Sequence, residues 1–121
     1  MKNTHNISEV TEAYLVCALW SSNDGDDPLE AKYGTSDISG EAWERAEVHV
    51  RYFIDRAGPW LGDDQDEEQI GHDFWLTRNG HGAGFWGRDL PDGRGEVLSD
   101  ICGAMGEQDI YPGDDGELYL S

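Results

Sequence analysis

Apolar residues recur at helical spacing in SEVTEAYLVCALWSS, where Val10, Ala13, Tyr14 and Cys17 fall on one side. Ser8 is placed to cap that helix, and Glu9 and Glu12 follow it early, where the helix dipole favours acids. The run AYLVCALW is apolar on nearly every side, so a buried strand suits it too; the cap and the spacing favour the helix. From Asn23 to Asp37 the pattern breaks into Gly, Pro and Asp and reads as a loop. A clearer helix opens at Ser39. Trp43, Ala46, Val50, Phe53, Ile54 and Ala57 make its apolar stripe, and Gly58-Pro59 ends it. Glu41, Glu44, Glu47 and Asp55 lie on its wet side, with Arg51 four residues after Glu47, the spacing of a helical ion pair.

The stretch LGDDQDEEQ follows, placing Asp63, Asp64, Asp66, Glu67 and Glu68 within six positions. Like charges so close repel one another and keep the segment in water, as a loop or as the start of a helix. Beyond it, Asp73 to Thr77 has strand composition and Ala83 to Arg88 offers a second short strand. Asn79-Gly80 between them is the pair favoured in a tight turn with positive φ, so the segment predicts a β-hairpin. Pro91 to Gly95 is a loop, and EVLSDICGAMG a short helix with Val97, Leu98, Ile101 and Met105 inward. Asp109 to Tyr111 and Glu117 to Leu120 flank PGDDG as a closing hairpin. The order α-α-β-β-α-β-β predicts an α+β fold: one domain over residues 1–121, with residues 1–7 a flexible lead-in and helices on one face of a small antiparallel sheet.

Composition adds a strong bias. Twenty-six acidic residues face eight basic ones, for a formal net charge of −18. Such a field repels nucleic acid and anionic membranes and attracts basic surfaces, so direct nucleic-acid or membrane binding is not expected. A chain of this mass exposes roughly 6,500 Å², or about one net charge per 360 Å². B-DNA carries one charge per ~1.7 Å of axis, roughly one per 100 Å² of its surface. Imitating DNA therefore requires that the acids gather on one face. Five Trp, five Tyr and three Phe supply a core. Cys17 and Cys102 stand far apart in apolar segments and read as reduced core thiols. With no signal-like apolar run after Met1-Lys2 and no segment long enough to cross a bilayer, a cytoplasmic location is expected.

Candidate chemistry centres on GHDFWLTRNGHGAGFWGRD, Gly71 to Asp89. His72 and His81, with Asp73 nearby, invite a metal, but the spacing is not HExxH and no third neutral ligand is at hand. No GxSxG elbow accompanies the Gly80-to-Gly84 run, neither cysteine has an activating signature, and no GK[ST] completes a phosphate loop. The aspartates after Asn23 lack the order of a calcium loop, since its twelfth position, counted from Asp24, is Thr35. No catalytic residue, metal or cofactor is predicted. His72, Asp73, Arg78, His81 and Arg88 are expected to form a structural network, with the arginines held by charge-assisted bonds and ring contacts.

HDFWLTRNGHGAGFW, with TEAYLVCALWSS upstream and YPGDDGELYL at the end, resembles a family of small acidic proteins of tailed phages and bacterial prophages, over most of the chain. Gly87 stands where that family more often has an acidic residue, so a charge near Arg88 is missing here. The resemblance implies a phage or prophage origin and brings no activity with it. Small acidic phage proteins are similar in character to inhibitors of restriction enzymes, CRISPR effectors and DNA-repair glycosylases. The leading expectation is thus a non-enzymatic inhibitor whose acids occupy the basic surface of a host nucleic-acid-binding protein. Asp63, Asp64, Asp66, Glu67 and Glu68 are the expected contacts, supported by Glu41, Glu44 and Glu47. Two other readings stand beside it: an accessory or regulatory protein whose acidity serves solubility alone, and a small enzyme or metal protein around His72, Asp73, Arg78 and His81.

Overall fold

A computed structural model describes residues 6–24, 27–61, 66–79 and 94–121. Helix α1 spans Ile7–Ser21, two residues earlier than a cap at Ser8 gives, because Asn6 is the cap and its side chain accepts from Glu9 N–H at 3.2 Å. The ambiguous run AYLVCALW is helical, and Val10, Ala13, Tyr14, Leu15, Cys17, Ala18 and Leu19 are buried, which explains its apolar character on most sides. The following loop carries a two-residue antiparallel ladder, β1 (Asn23–Asp24) with β2 (Asp27–Pro28), and single 3-10 turns at Leu29–Ala31 and Thr35–Asp37.

Helix α2, Gly40–Ala57, follows its sequence signals closely. Ser39 caps it, accepting from Ala42 N–H at 3.0 Å, and Ala42, Ala46, Val50, Phe53, Ile54 and Ala57 are buried. Arg51 pairs with Glu47 at 3.0 Å, as the spacing predicts. Helix α4, Arg94–Met105, seals Leu98 and Cys102 into the core and leaves Val97, Ile101 and Met105 half-buried. The closing hairpin is β3 (Ile110–Pro112) against β4 (Leu118–Leu120), with Gly116 at φ +84° in its turn. Ile110, Leu118 and Leu120 face the core, while Tyr111 lies on the wet face. The backbone N–H of Ser39 donates to Leu118 at 2.9 Å, which fastens this sheet to the start of α2.

The hairpin expected from Asp73 is overturned. Residues Glu67–Arg78 form a third long helix, α3. Asp66 caps it through Gln69 N–H at 2.8 Å, and Glu67 and Glu68 occupy the first turn, so the acidic run is the start of this helix. Ile70, Phe74 and Arg78 follow one another at four-residue spacing and are buried, with Gly71 and Trp75 beside them. Asn79 closes the helix at φ −98°, outside the positive-φ region that a tight hairpin turn requires, and its side chain donates to Trp75 O at 3.0 Å. The aromatic content that suggested a strand is used in packing: Phe74 stacks on Phe53 with centroids 4.3 Å apart, and lies 4.9 Å from Tyr14. The second expected strand, Ala83 to Arg88, lies outside the described residues. The fold remains α+β: among the described residues there are four α-helices, the closing antiparallel hairpin and the short β1–β2 ladder.

Candidate functional site

An acidic concave surface lies between α1 and α3. These helices approach very closely at Gly71, where an added Cβ would meet Val10 O at 2.5 Å, Ala13 Cβ at 2.6 Å and Tyr14 N at 2.7 Å. Above that contact the helices leave a groove of ≈ 430 Å³, lined by Glu9, Glu12, Ala13, Val16, Glu67, Glu68 and His72. Four carboxylates face it, and among the described residues no lysine or arginine does. One of them is held in place, since Glu67 Oε2 accepts from Asn6 N–H at 3.0 Å. Glu9, Glu12, Val16 and Trp20 form the exposed stripe of α1, so the surface passes from acidic at the start of the helix to apolar at its end. Trp20 reaches the His72 ring, with centroids 6.2 Å apart.

The residues expected to bind a partner therefore divide. Glu67 and Glu68 share the groove with Glu9 and Glu12, and Asp66 is exposed at the cap of the same helix. Asp63 and Asp64 lie outside the described residues. Glu41, Glu44 and Glu47 line no part of this groove. Glu41 is placed with the closing hairpin instead: its charge, after those of Asp115 and Glu117, acts on the Tyr119 phenol, which Asp115 accepts from. Glu47 is engaged with Arg51. By sequence alone Glu9 and Glu12 are only helix-start acids; their part in the groove depends on the α1–α3 approach, which no local signal carries.

The expected network around His72, Asp73, Arg78, His81 and Arg88 also divides. His72 faces the acidic groove, whereas Asp73 and Arg78 are buried on other sides of α3; His81 and Arg88 lie outside the described residues. Arg78 does make the ring contact expected of it, 5.3 Å over Phe74. Its other partners come from α1, α2 and the chain at and just beyond the end of α4. Nε donates to Gly106 O at 2.8 Å and Nη2 to Met105 O at 3.3 Å, while Nη1 reaches Tyr14 Oη at 3.0 Å, His49 Nδ1 at 2.8 Å and Gln108 Oε1 at 3.4 Å. Tyr14 in turn donates to Gln108 Oε1. Arginine has no acceptor atom, so His49 Nδ1 must accept; the imidazole is neutral and carries its proton on Nε2. Burial, then the charges of Arg78 and Arg45, hold His49 below the usual histidine pKa, and burial pushes the Tyr14 phenol well above its ordinary value. This arrangement ties four segments together around one buried cation.

Both cysteines are unpaired and buried, and burial first of all pushes each thiol up to about 12. Among the described residues no group of three or more His, Cys, Asp or Glu is placed to hold a metal ion, and no helix is long and apolar enough to cross a membrane. No family model, no curated protein and no solved structure matches this chain.

Proposed function

We propose that this chain is a non-enzymatic inhibitor that presents an acidic face to the cationic nucleic-acid groove of a partner protein, with carboxylates standing in for phosphates. The observation that supports it is the α1–α3 groove, where Glu9, Glu12, Glu67 and Glu68 converge beside His72, with no lysine or arginine among the described residues that line it. The total surface of 6746 Å² carries a net charge of −18, so its mean charge density is about a quarter of that of DNA. Local gathering is needed to close that gap, and this groove gathers acids from two helices, with Asp63 and Asp64 just before the cap of α3 in sequence. Val16 and Trp20 at its end add an apolar anchor of the kind that concentrates binding energy beside a polar rim. The partner is a host defence or repair protein that holds DNA or guide RNA, and the site of action is the host cytoplasm.

Capture on the immobilised chain from nuclease-treated bacterial lysate, with elution by duplex DNA or guide RNA, tests the reading. Lysine at Glu9, Glu12 and Glu68 should abolish capture. Lysine at Glu30, Asp55 and Glu107, exposed acids away from the groove, makes the same change in net charge and should only weaken it. Retention by the groove variant would defeat the proposal. Absence of any DNA-competed protein would favour an accessory role with acidity serving solubility, a reading supported by the exposed acids on every helix.

A further inference from the structure

On α2 and α4, away from the acidic groove, lies a second concavity of ≈ 630 Å³, within the range of small-ligand pockets. Its walls are apolar: Val48 and Tyr52 from α2 face Val97, Ile101 and Met105 from α4. Val48 is 63 % exposed and Tyr52 47 %, side chains that a folded chain otherwise tends to cover. Three polar groups interrupt this lining, namely His49, Arg56 and Asp100.

Their bonding states are unequal. Lys32 pairs with Asp27 at 3.6 Å, Arg51 with Glu47 at 3.0 Å, and Arg45 donates to Ser121 O at 3.2 Å. Arg56, among the described residues, meets no carboxylate and no hydrogen-bond acceptor; it lies 4.5 Å over the Tyr52 ring. Among the described residues, Arg51 pairs with a carboxylate and Arg45 and Arg78 donate to other oxygens, whereas the Arg56 guanidinium has neither kind of partner. His49 adds a second donor. Its Nδ1 is taken by Arg78, so Nε2 bears the hydrogen, and no acceptor for it stands among the described residues. The groove thus offers an apolar slot with two unfilled donors, one of them a cation pre-oriented by an aromatic ring.

We propose that this groove binds a small aromatic or branched aliphatic monocarboxylate, with its apolar body between α2 and α4 and its carboxylate on the Arg56 guanidinium and the His49 Nε2–H. Arg56 and the His49 Nε2–H, both on α2, supply the attraction for the carboxylate, against the exposed Asp100 carboxylate on the α4 wall. A second copy of the chain is disfavoured, because two bodies of net charge −18 repel each other. The site shares no residue with the α1–α3 groove and stands independently of the inhibitor reading.

The test titrates the isotope-labelled full chain with 2-naphthoate, 2-naphthamide and 2-naphthylmethylamine and follows backbone amide shifts. Naphthoate should move the amides of Val48, Tyr52, Ile101 and Met105 and bind roughly tenfold tighter than the amide, the advantage of charge-assisted bonds over neutral ones. Arg56→Gln, at an exposed position, should remove that advantage, and Ala104→Trp, also exposed, should fill the groove and abolish binding of all three compounds. Equal affinity for acid and amide, tighter binding of the amine, or shifts confined to other elements would overturn the proposal. So would sedimentation showing a dimer that Val48→Asp dissolves, since the groove would then belong to a second copy.

Discussion

Replacing Gly71 by alanine should destabilise this protein, although in most helices the same change is favourable. Gly71 sits inside α3, where alanine gains about 1 kcal/mol in intrinsic helix propensity. Against that, its Cβ would lie 2.5 Å from Val10 O, 2.6 Å from Ala13 Cβ and 2.7 Å from Tyr14 N. Two of these three atoms are backbone, which no rotamer change can move aside. Relief requires α1 and α3 to separate, and forced expansion of a packed contact costs about 1–3 kcal/mol, occasionally more. Contacts of 2.5–2.7 Å, two of them to backbone, put the cost in the upper part of that range, so the close approach should win with a net loss on the order of 2 kcal/mol. Gly103→Ala supplies the opposite sign. That residue lies within α4, is exposed, and has nothing within 4 Å of an added Cβ, so the substitution should stabilise by up to about 1 kcal/mol. Urea titrations followed by tryptophan fluorescence, with m-values compared to verify a common unfolding transition, measure both. A Gly71→Ala variant as stable as the parent or more so would refute the tight α1–α3 contact and the groove built above it.

Three further outcomes follow from the buried network and the thiols. His49 has a lowered folded-state pKa, so the unfolded chain takes up this proton first as pH falls. Its contribution is full above the unfolded value of about 6.5 and is lost as pH drops from there towards the lower folded value. Thermal midpoints between about pH 7.5 and 5 should thus fall further for the parent than for His49→Gln, whose amide oxygen can still accept from Arg78; parallel profiles would remove His49 from the account. Arg78→Lys keeps the charge but cannot reach carbonyls, phenol and imidazole together, and should cost at least about 2 kcal/mol by denaturant titration. Cys17 and Cys102, with thiols pushed up to about 12, should resist a thiol-specific disulfide reagent at mildly alkaline pH until the chain is unfolded. Prompt labelling of the native protein would contradict their burial.

Much of the architecture is legible where local signals agree with each other. Ser39, the stripe of α2 and Gly58 specify one helix without help from the rest of the chain, and alternating Ile110, Leu118 and Leu120 with Gly116 specify the closing hairpin. At α3 the signals conflict. Asp66, Glu67 and Glu68 announce a helix start, yet the aromatic run after them has strand composition, and β propensity reflects fit to a half-buried surface rather than a backbone preference. Burial against α1 settles that conflict in favour of the helix, and it places Glu67 and Glu68 beside Glu9 and Glu12. The partners of Arg78 were hidden for a related reason. Tyr14, His49 and Gln108 lie 64, 29 and 30 positions away in the chain, so no spacing in the sequence advertises them.

The placement of Arg78 bears on how the native state opens. Its guanidinium closes the carbonyls of Met105 and Gly106 at the end of α4 from a position at the end of α3, while the same nitrogen set engages α1 and α2. Fraying of α4 alone would leave a buried cation stripped of two of its acceptors, a penalty that isolated helix ends do not face. Local fluctuations at these two helix ends are therefore coupled, and their amides should exchange with solvent as one cooperative unit.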